Sequence, residues 1–210
     1  MPVPRLVLAS QSPARLATLR SAGLDPEVVV SGVDESVLDH VTDPAALSLG
    51  LARLKAEVVV DGLEASAGPV LVVGCDSVLE LDGEIHGKPA SAEEATARWE
   101  RMRGRSGTLH TGHCLVEVRD GVRREAARSA RTVVRFAEVS DEEVAAYVAT
   151  GEPLRVAGAF TLDGLGGAFV TGVDGDPHTV VGIGLPLLRE LVTELGHRWT
   201  DLWTDRHGVG

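Results

Sequence analysis

Aromatic side chains make up only 3% of this 210-residue chain, so its core must rest on Leu, Val, Ile and Ala. Cysteines number two, Cys75 and Cys114, each inside a segment that reads as a buried strand. With no secretory features around them, a structural disulfide is not expected. No apolar run approaches the ~20 residues of a membrane span. The segment from Met1 to Ser10 has one Arg and an apolar stretch too short for a secretory h-region. A cytoplasmic protein without a membrane partner is the expectation. A basic balance is missing too: the formal charge is −11. Stable nucleic-acid binding needs a basic face to displace counterions, so it is not expected; a small basic pocket in an acidic protein stays compatible. Internal repeats and low-complexity tracts are absent. The glycine run Gly164-Leu165-Gly166-Gly167 lacks the Lys-Ser/Thr of a P-loop and reads as a turn.

What is present reads as an ordinary globular chain, 44% hydrophobic and 24% charged, long enough for one large domain or two small lobes. The run Leu6-Val7-Leu8-Ala9 reads as a strand ending at Ser12-Pro13, an N-cap followed by a proline suited to the first helical position. Val28–Val30 reads as the next strand. A longer helix from Asp43-Pro44 carries Leu47, Leu51, Leu54 and Val58 on one stripe. Val70 to Leu81 reads as a strand closed by the tight turn Asp82-Gly83, with a hairpin partner from Glu84. A capping box at Ser91/Glu94 opens one more helix, and another begins at Ser140-Asp-Glu-Glu. Strands are expected at 113–119 and 130–136, and a last helix from Leu185 to Leu195. Loose alternation with hairpins predicts a mixed α/β sheet. The chain is taken as one domain, 1–210, with a soft lobe boundary near 104–112 and a C-terminal tail from 197 to 210. In that tail Trp199, Leu202 and Trp203 are expected to pack.

Chemistry concentrates at a few positions. The turn Ser10-Gln11-Ser12-Pro13-Ala14-Arg15 opens a helix, where free N–H groups and the positive dipole end suit phosphate. Arg15 sits in the first turn, where the dipole disfavours a cation unless an anion lies between. Asp76 follows the apolar run Val70–Val73, and a carboxylate there needs a metal, a cation or donors. Asp34 and Glu35 are paired acids in a loop; if that loop meets Asp76, the carboxylates form a hard-oxygen site suited to Mg²⁺. Lys55, at the edge of its helix stripe, and Lys88, in Gly87-Lys88-Pro89, are candidate cations in a chain where arginines far outnumber lysines. His110, His113 and Cys114 look metal-like, but residues three apart in a strand face opposite ways, so zinc is not expected.

The order of these segments is more specific than any one of them. Leu8-Ala-Ser-Gln-Ser-Pro-Ala-Arg15, Val33-Asp-Glu-Ser36, Leu51-Ala-Arg-Leu-Lys-Ala56, Gly74-Cys-Asp-Ser-Val78 and Gly87-Lys-Pro89 occur in sequence. Tyr147-Val-Ala-Thr-Gly-Glu-Pro153, Ala157-Gly-Ala-Phe160 and Val180-Val-Gly182 follow. Together they resemble the Maf-like nucleoside triphosphate pyrophosphatases over residues about 6 to 195. The resemblance implies an α/β fold related to inosine triphosphate pyrophosphatase, with a long sheet and a cleft between lobes. It implies hydrolysis of a nucleoside triphosphate to the monophosphate and pyrophosphate, with Mg²⁺, or Mn²⁺ in its place. Ser10, Arg15, Lys55 and Lys88 would hold phosphate, Asp76 would accept the proton, and Glu35 would assist the metal beside Asp76. A homodimer is common in such a family.

Three positions linked to base choice depart from the branch resembling dTTP/UTP enzymes. Arg, Thr and Gln there are Ala14, Ser77 and Asp163 here. Losing the cation, and replacing an amide by an acceptor-only carboxylate, points to a purine or modified nucleotide; an acid at Asp163 also resembles the branch acting on 7-methyl-GTP. The stretch from Val180 to Pro186 is two residues longer than usual and is expected to shift the last loop. The competing readings are a nucleotide-binding regulator of septum formation with little turnover, and a structural protein acting through its tail. Retention of Asp76, Glu35 and both lysines favours the enzyme.

Overall fold

The computed structural model describes residues 3–64 and 68–204. It contains one seven-stranded mixed sheet flanked by helices, the α/β class expected. The strands are β1 (Arg5–Leu8), β2 (Glu27–Val28), β3 (Val70–Leu81), β4 (Glu84–His86), β5 (Ser106–Arg119), β6 (Val122–Phe136) and β7 (Val170–Asp174). The helices are α1 (Pro13–Ser21), α2 (Pro44–Asp61), α3 (Ala92–Met102), α4 (Asp141–Ala149), α5 (Pro177–Val181) and α6 (Leu185–Glu194). The strand order is β2-β1-β3-β5-β6-β7, with β4 also on β3. The β2-β1 and β1-β3 pairs are parallel and the rest antiparallel.

Several elements start where their caps demand. Ser12 accepts from the Arg15 N–H ahead of Pro13, and Asp43 from Ala46 ahead of Pro44. Ser140 and Glu143 form the full capping box. At α3 the box is only half made: Ser91 accepts from Glu94 N–H, but Glu94 reaches back to the Ala90 N–H, because the same carboxylate also grips Arg98.

Other boundaries moved. The second strand is Glu27–Val28, not Val28–Val30, because its partner β1 ends at Leu8 and Val30 runs on into solvent. Strands β5 and β6 are longer than expected, so the stretch 104–112 is mostly strand from Ser106 onward. They meet at Asp120-Gly121, whose positive φ values of 52° and 76° make the same tight turn as Asp82-Gly83. Five arginines on β6 hid its strand character; several are paired, as Arg128 is with Glu190 and Glu194 of α6.

Period-two alternation distributes the core. Val70 and Val72 of β3 join Ala52, Ala56, Val59 and Val60 of α2 on one face. Leu71, Val73 and Cys75 join Leu19 of α1 and Leu188, Leu191 and Val192 of α6 on the other. Farther along that second face, Leu79 and Leu81 meet Trp99 of α3 and Val144, Tyr147 and Val148 of α4. Both cysteines are buried and free. Leu202 is buried and Trp199 packs beside it, whereas Trp203 is exposed; residues 205–210 of the expected tail lie outside the described residues. No helix among the described residues is long and apolar enough to cross a membrane.

The face of α2 that meets the sheet is not the leucine stripe. Ser48, Ala52 and Ala56 are buried; of the stripe only Leu51 is buried, while Val58 is exposed. Small residues win because the α2 backbone lies directly on Gly74 of β3 and Gly112 of β5. A Cβ on Gly74 would collide with the Ala52 carbonyl, and one on Gly112 with that of Ser48. Leu47, Leu51 and Lys55, each four residues apart, are thereby turned along a neighbouring cleft.

Candidate active site

One edge of β3 is shared by two partners. Val70–Val73 pair with β1 and Leu79–Leu81 with β4, so the sheet splits between them at Gly74–Val78. A cleft of about 1160 Å³ opens at this split, at the carboxyl end of β1, where open α/β sheets place ligands. Ser10, Arg15, Glu35, Lys55, Asp76, Ser77, Lys88 and Asp163 all line it. Ala14 does not; its carbonyl is taken by the Thr18 hydroxyl within α1. The chain has only two lysines, and both are in this cleft.

Asp76 is 9% exposed and lies on the α2 face of β3, two residues beyond Gly74 and opposite Gly112. The close seating of α2 over these glycines brings Lys55 onto it. The Lys55 ammonium bonds Asp76 Oδ1 and, at 2.7 Å, Glu35 Oε1. The loop that sequence alone left free thus meets Asp76. A 3-10 turn over Glu35–Leu38, capped by Asp34 through the Ser36 N–H and hydroxyl, presents Glu35. Asp34 is a cap here and not a member of the carboxylate pair.

On the opposite face of β3, Ser77 shares a hydrogen bond with Thr111 (2.9 Å), which donates to the Thr179 carbonyl of α5. At the head of α1, Ser10 is 7% exposed; its Oγ accepts from Ser12 N–H (3.2 Å) and from Arg15 Nη1 (3.0 Å). Arg15 Nε also donates to the Gly182 carbonyl at 2.9 Å. That carbonyl follows the last turn of α5, where a cation is favoured, and this relieves Arg15 of the unfavourable dipole at its own helix start. In the Val180–Pro186 stretch Gly182 takes the left-handed region (φ 118°), and the Gly184 N–H donates to His113 Nε2 at 2.7 Å. His113 Nδ1 donates to the Thr111 carbonyl, so the ring is a neutral, fixed tautomer, and burial pushes its pKa down to about 4. His110, on the other face of β5, bonds Glu80 instead.

Lys88 is exposed, but its loop is not loose. The Gly87 carbonyl accepts from Arg98 Nη1 (2.6 Å) and from the Gly158 N–H (3.1 Å), and Pro89 is buried. Arg98, a buried arginine of α3 held by Glu94, was not singled out from the sequence; its helix position alone gave no sign of the Gly87 contact. Arg155 is a second omission. It is exposed, lines the cleft and has no ion pair among the described residues. Arg-Val before Ala157-Gly-Ala was the available signal.

The hard-oxygen pair fits a divalent ion of the Mg²⁺ type, which uses one or two carboxylates and completes its shell with water and phosphate oxygens. Glu35 and Asp76 present oxygens to one cation already, the Lys55 ammonium. Cations on phosphate, a carboxylate beside them and helix N–H groups make the cleft suited to a polyphosphate and to activating water against it.

Comparison with known proteins agrees with this chemistry. A family model described as Maf-like protein matches residues 5–195. A nucleoside triphosphate pyrophosphatase of Streptomyces avermitilis is 61% identical over 202 residues, spanning 96% of each chain. One of Salinispora tropica is 61% identical over 202 residues, 95% of this chain and 88% of the relative. One of Cutibacterium acnes is 52% identical over 205 residues, 96% of each.

Proposed function

The chain belongs to the Maf-like protein family, and on that premise we propose that it is a hydrolase that cuts a nucleoside triphosphate into its monophosphate and pyrophosphate. The observation that carries the reading is the gathering of both lysines and Arg15 in the cleft that holds Asp76 and Glu35. Arg15, Lys88 and Arg155 take the phosphate oxygens, helped by the Ser10 hydroxyl and the α1 N–H groups. Asp76 accepts the proton of the attacking water, and Lys55 keeps that carboxylate oriented. Glu35 and Asp76 would hold a divalent metal, Mg²⁺ or Mn²⁺, which when bound would supply charge stabilisation to the phosphate oxygens. The base lies toward Ser77 and Asp163. An exposed acceptor at Asp163 favours the donor edge of guanine or a modified purine, and Ala14 contributes only the absence of a larger side chain. A cytoplasmic house-cleaning role, a homodimer and a link to septum formation belong to the same reading.

The test is pyrophosphate release across normal and modified triphosphates with Mg²⁺, comparing wild type with Asp76→Asn. The wild type is expected to turn over a purine or modified nucleotide best, and the folded variant to lose about 10²–10⁴ in rate, the range for a general base. Near-normal turnover by folded Asp76→Asn sinks the role of Asp76. UTP and dTTP ranking far above all purines sinks the base preference, and no release from any triphosphate sinks the reaction.

A further inference from the structure

The segment Tyr147–Pro153 has no part in the chemistry above, yet its Glu152 is among the most heavily bonded carboxylates of the described residues. Glu152 Oε1 accepts from Tyr147 Oη (2.9 Å), Thr161 Oγ1 (2.5 Å) and Gly166 N–H (3.1 Å), and Oε2 accepts from Leu165 N–H (3.1 Å). The loop closes tightly on the carboxylate: a Cβ on Gly164 would sit 2.7 Å from Oε2, and one on Gly166 would collide with Tyr147 Oη. Burial works against the charged form, but the bonds from Thr161, Gly166, Leu165 and Tyr147 outweigh it and hold the Glu152 pKa below the usual glutamate value. Glu152 itself does not line the cleft; of the loop it grips, Thr161 and Asp163 do. The ties fall on both sides of Asp163, at Thr161 and at Leu165-Gly166. The exposed Asp163 carboxylate has no hydrogen bond or ion pair among the described residues.

The platform behind this carboxylate is stiff. Tyr147 packs edge-on against Trp99 (5.6 Å between centroids) and Phe169 (5.4 Å). Trp99 Nε1 donates to the Ala159 carbonyl at 2.8 Å. Trp99 also packs on Phe136, and Phe136 on Phe160. Five of the chain's seven aromatics are thus concentrated behind one loop.

We propose that Glu152 is a positioning residue: by holding the Thr161–Gly166 loop on this platform it fixes Asp163 at the cleft and so sets which base the enzyme accepts. The proposal rests on the cleft being the triphosphate site with Asp163 on the base side. Replacing the carboxylate by an amide turns one acceptor into a donor facing a donor, without changing shape.

The experiment measures kcat and KM for a purine and pyrimidine triphosphate panel, backbone amide exchange of residues 161–166, and a thermal melt, for wild type, Glu152→Gln and Thr161→Val. Glu152→Gln is expected to stay folded. Its Leu165 and Gly166 amides should exchange at least about tenfold faster, since local opening sets exchange. The ratio of kcat/KM between best and worst base should fall about tenfold through KM, with kcat for the best substrate within about threefold; a tenfold ratio corresponds to ~1.4 kcal/mol. Thr161→Val, which removes the hydroxyl's bond to Glu152 and its bond from the Gly166 N–H but leaves Glu152 in place, should move both readouts the same way by less, and decides the matter if Glu152→Gln fails to fold. Unchanged exchange, an unchanged base ratio, or an equal kcat loss for all bases overturns the proposal while the reaction stands. A wild type that releases no pyrophosphate, or treats all bases alike, overturns it through the reading on which it rests, and the wild-type arm alone reveals that.

Discussion

Along the α1–α2 wall of the cleft, Arg15 and Lys55 are already satisfied by the protein, Arg15 by Ser10 and Gly182 and Lys55 by Glu35 and Asp76. On the opposite rim Lys88, Arg155 and Asp163 are exposed and have no ion pair among the described residues. On the first wall Lys55 is ion-paired and Arg15 is hydrogen-bonded to neutral groups, so its polar groups are oriented before a ligand arrives, the condition for electrostatic preorganisation. The rim charges cost the fold little and await an anion or a base. Damage to the wall should therefore register in stability and rate together, and damage to the rim in binding alone.

The sharpest way to break this contrast is at the glycines under α2. Gly112→Ala is expected to cost about 3 kcal/mol, the upper part of the overpacking range, because the new Cβ meets helix backbone and not a movable side chain. Urea unfolding measures it, and turnover should fall as Lys55 is lifted off Asp76. A loss under half that size would mean that α2 gives way easily.

Acid should next reach the buried His113, packed behind the cleft against Gly184. The His113 pKa is lowered to about 4 from an unfolded value near 6.5, so the unfolded state binds the proton first. Stability from this group is intact above about pH 6.5 and is lost as pH falls toward 4, by about 3 kcal/mol in all. Wild-type melts between pH 7 and pH 4 should show that decline, and His113→Gln should flatten it.

The two lysines then separate wall from rim. The sequence places Lys55 and Lys88 alike, as candidate cations for phosphate. With Lys55 between two acids and its side chain only 13% exposed, its removal should lower stability by about 2 kcal/mol, less than for a fully buried pair, and lower kcat with it. The smallest effect belongs to the rim: Lys88→Ala and Arg155→Ala should each raise KM about tenfold, roughly 1.4 kcal/mol, with melts unchanged. A fall in melting temperature for Lys88→Ala as large as that for Lys55→Ala would erase the distinction.

Much of this was legible in the chain. Capping residues fixed the starts of α1, α2 and α4 because a cap is a contact within a few residues, and Asp82-Gly83 marked the β3–β4 turn for the same reason. Asp120-Gly121 carries the same turn signal, but the arginines of β6 mask the alternation that would pair it with a strand. The odd chemistry of Asp76, a carboxylate after a buried apolar run, singled it out, and the family resemblance joined it to Glu35 and the lysines. The leucine stripe of α2 misled, since periodicity counts apolar residues and takes no account of how closely a backbone can approach.

By itself, then, the sequence determined most of the strands and helices, though not β7 or α5 in the glycine-rich stretch 158–184, and which side chains can handle phosphate and protons, since both follow from short-range pattern and residue chemistry. Only the tertiary structure decided that Gly74 and Gly112 admit α2 closely enough to set Lys55 between Glu35 and Asp76. It alone decided that Arg155 joins the cleft, Ala14 does not, and Glu152 grips the loop of Asp163. Each of these depends on groups distant in the chain being brought within hydrogen-bonding reach, which no local pattern encodes.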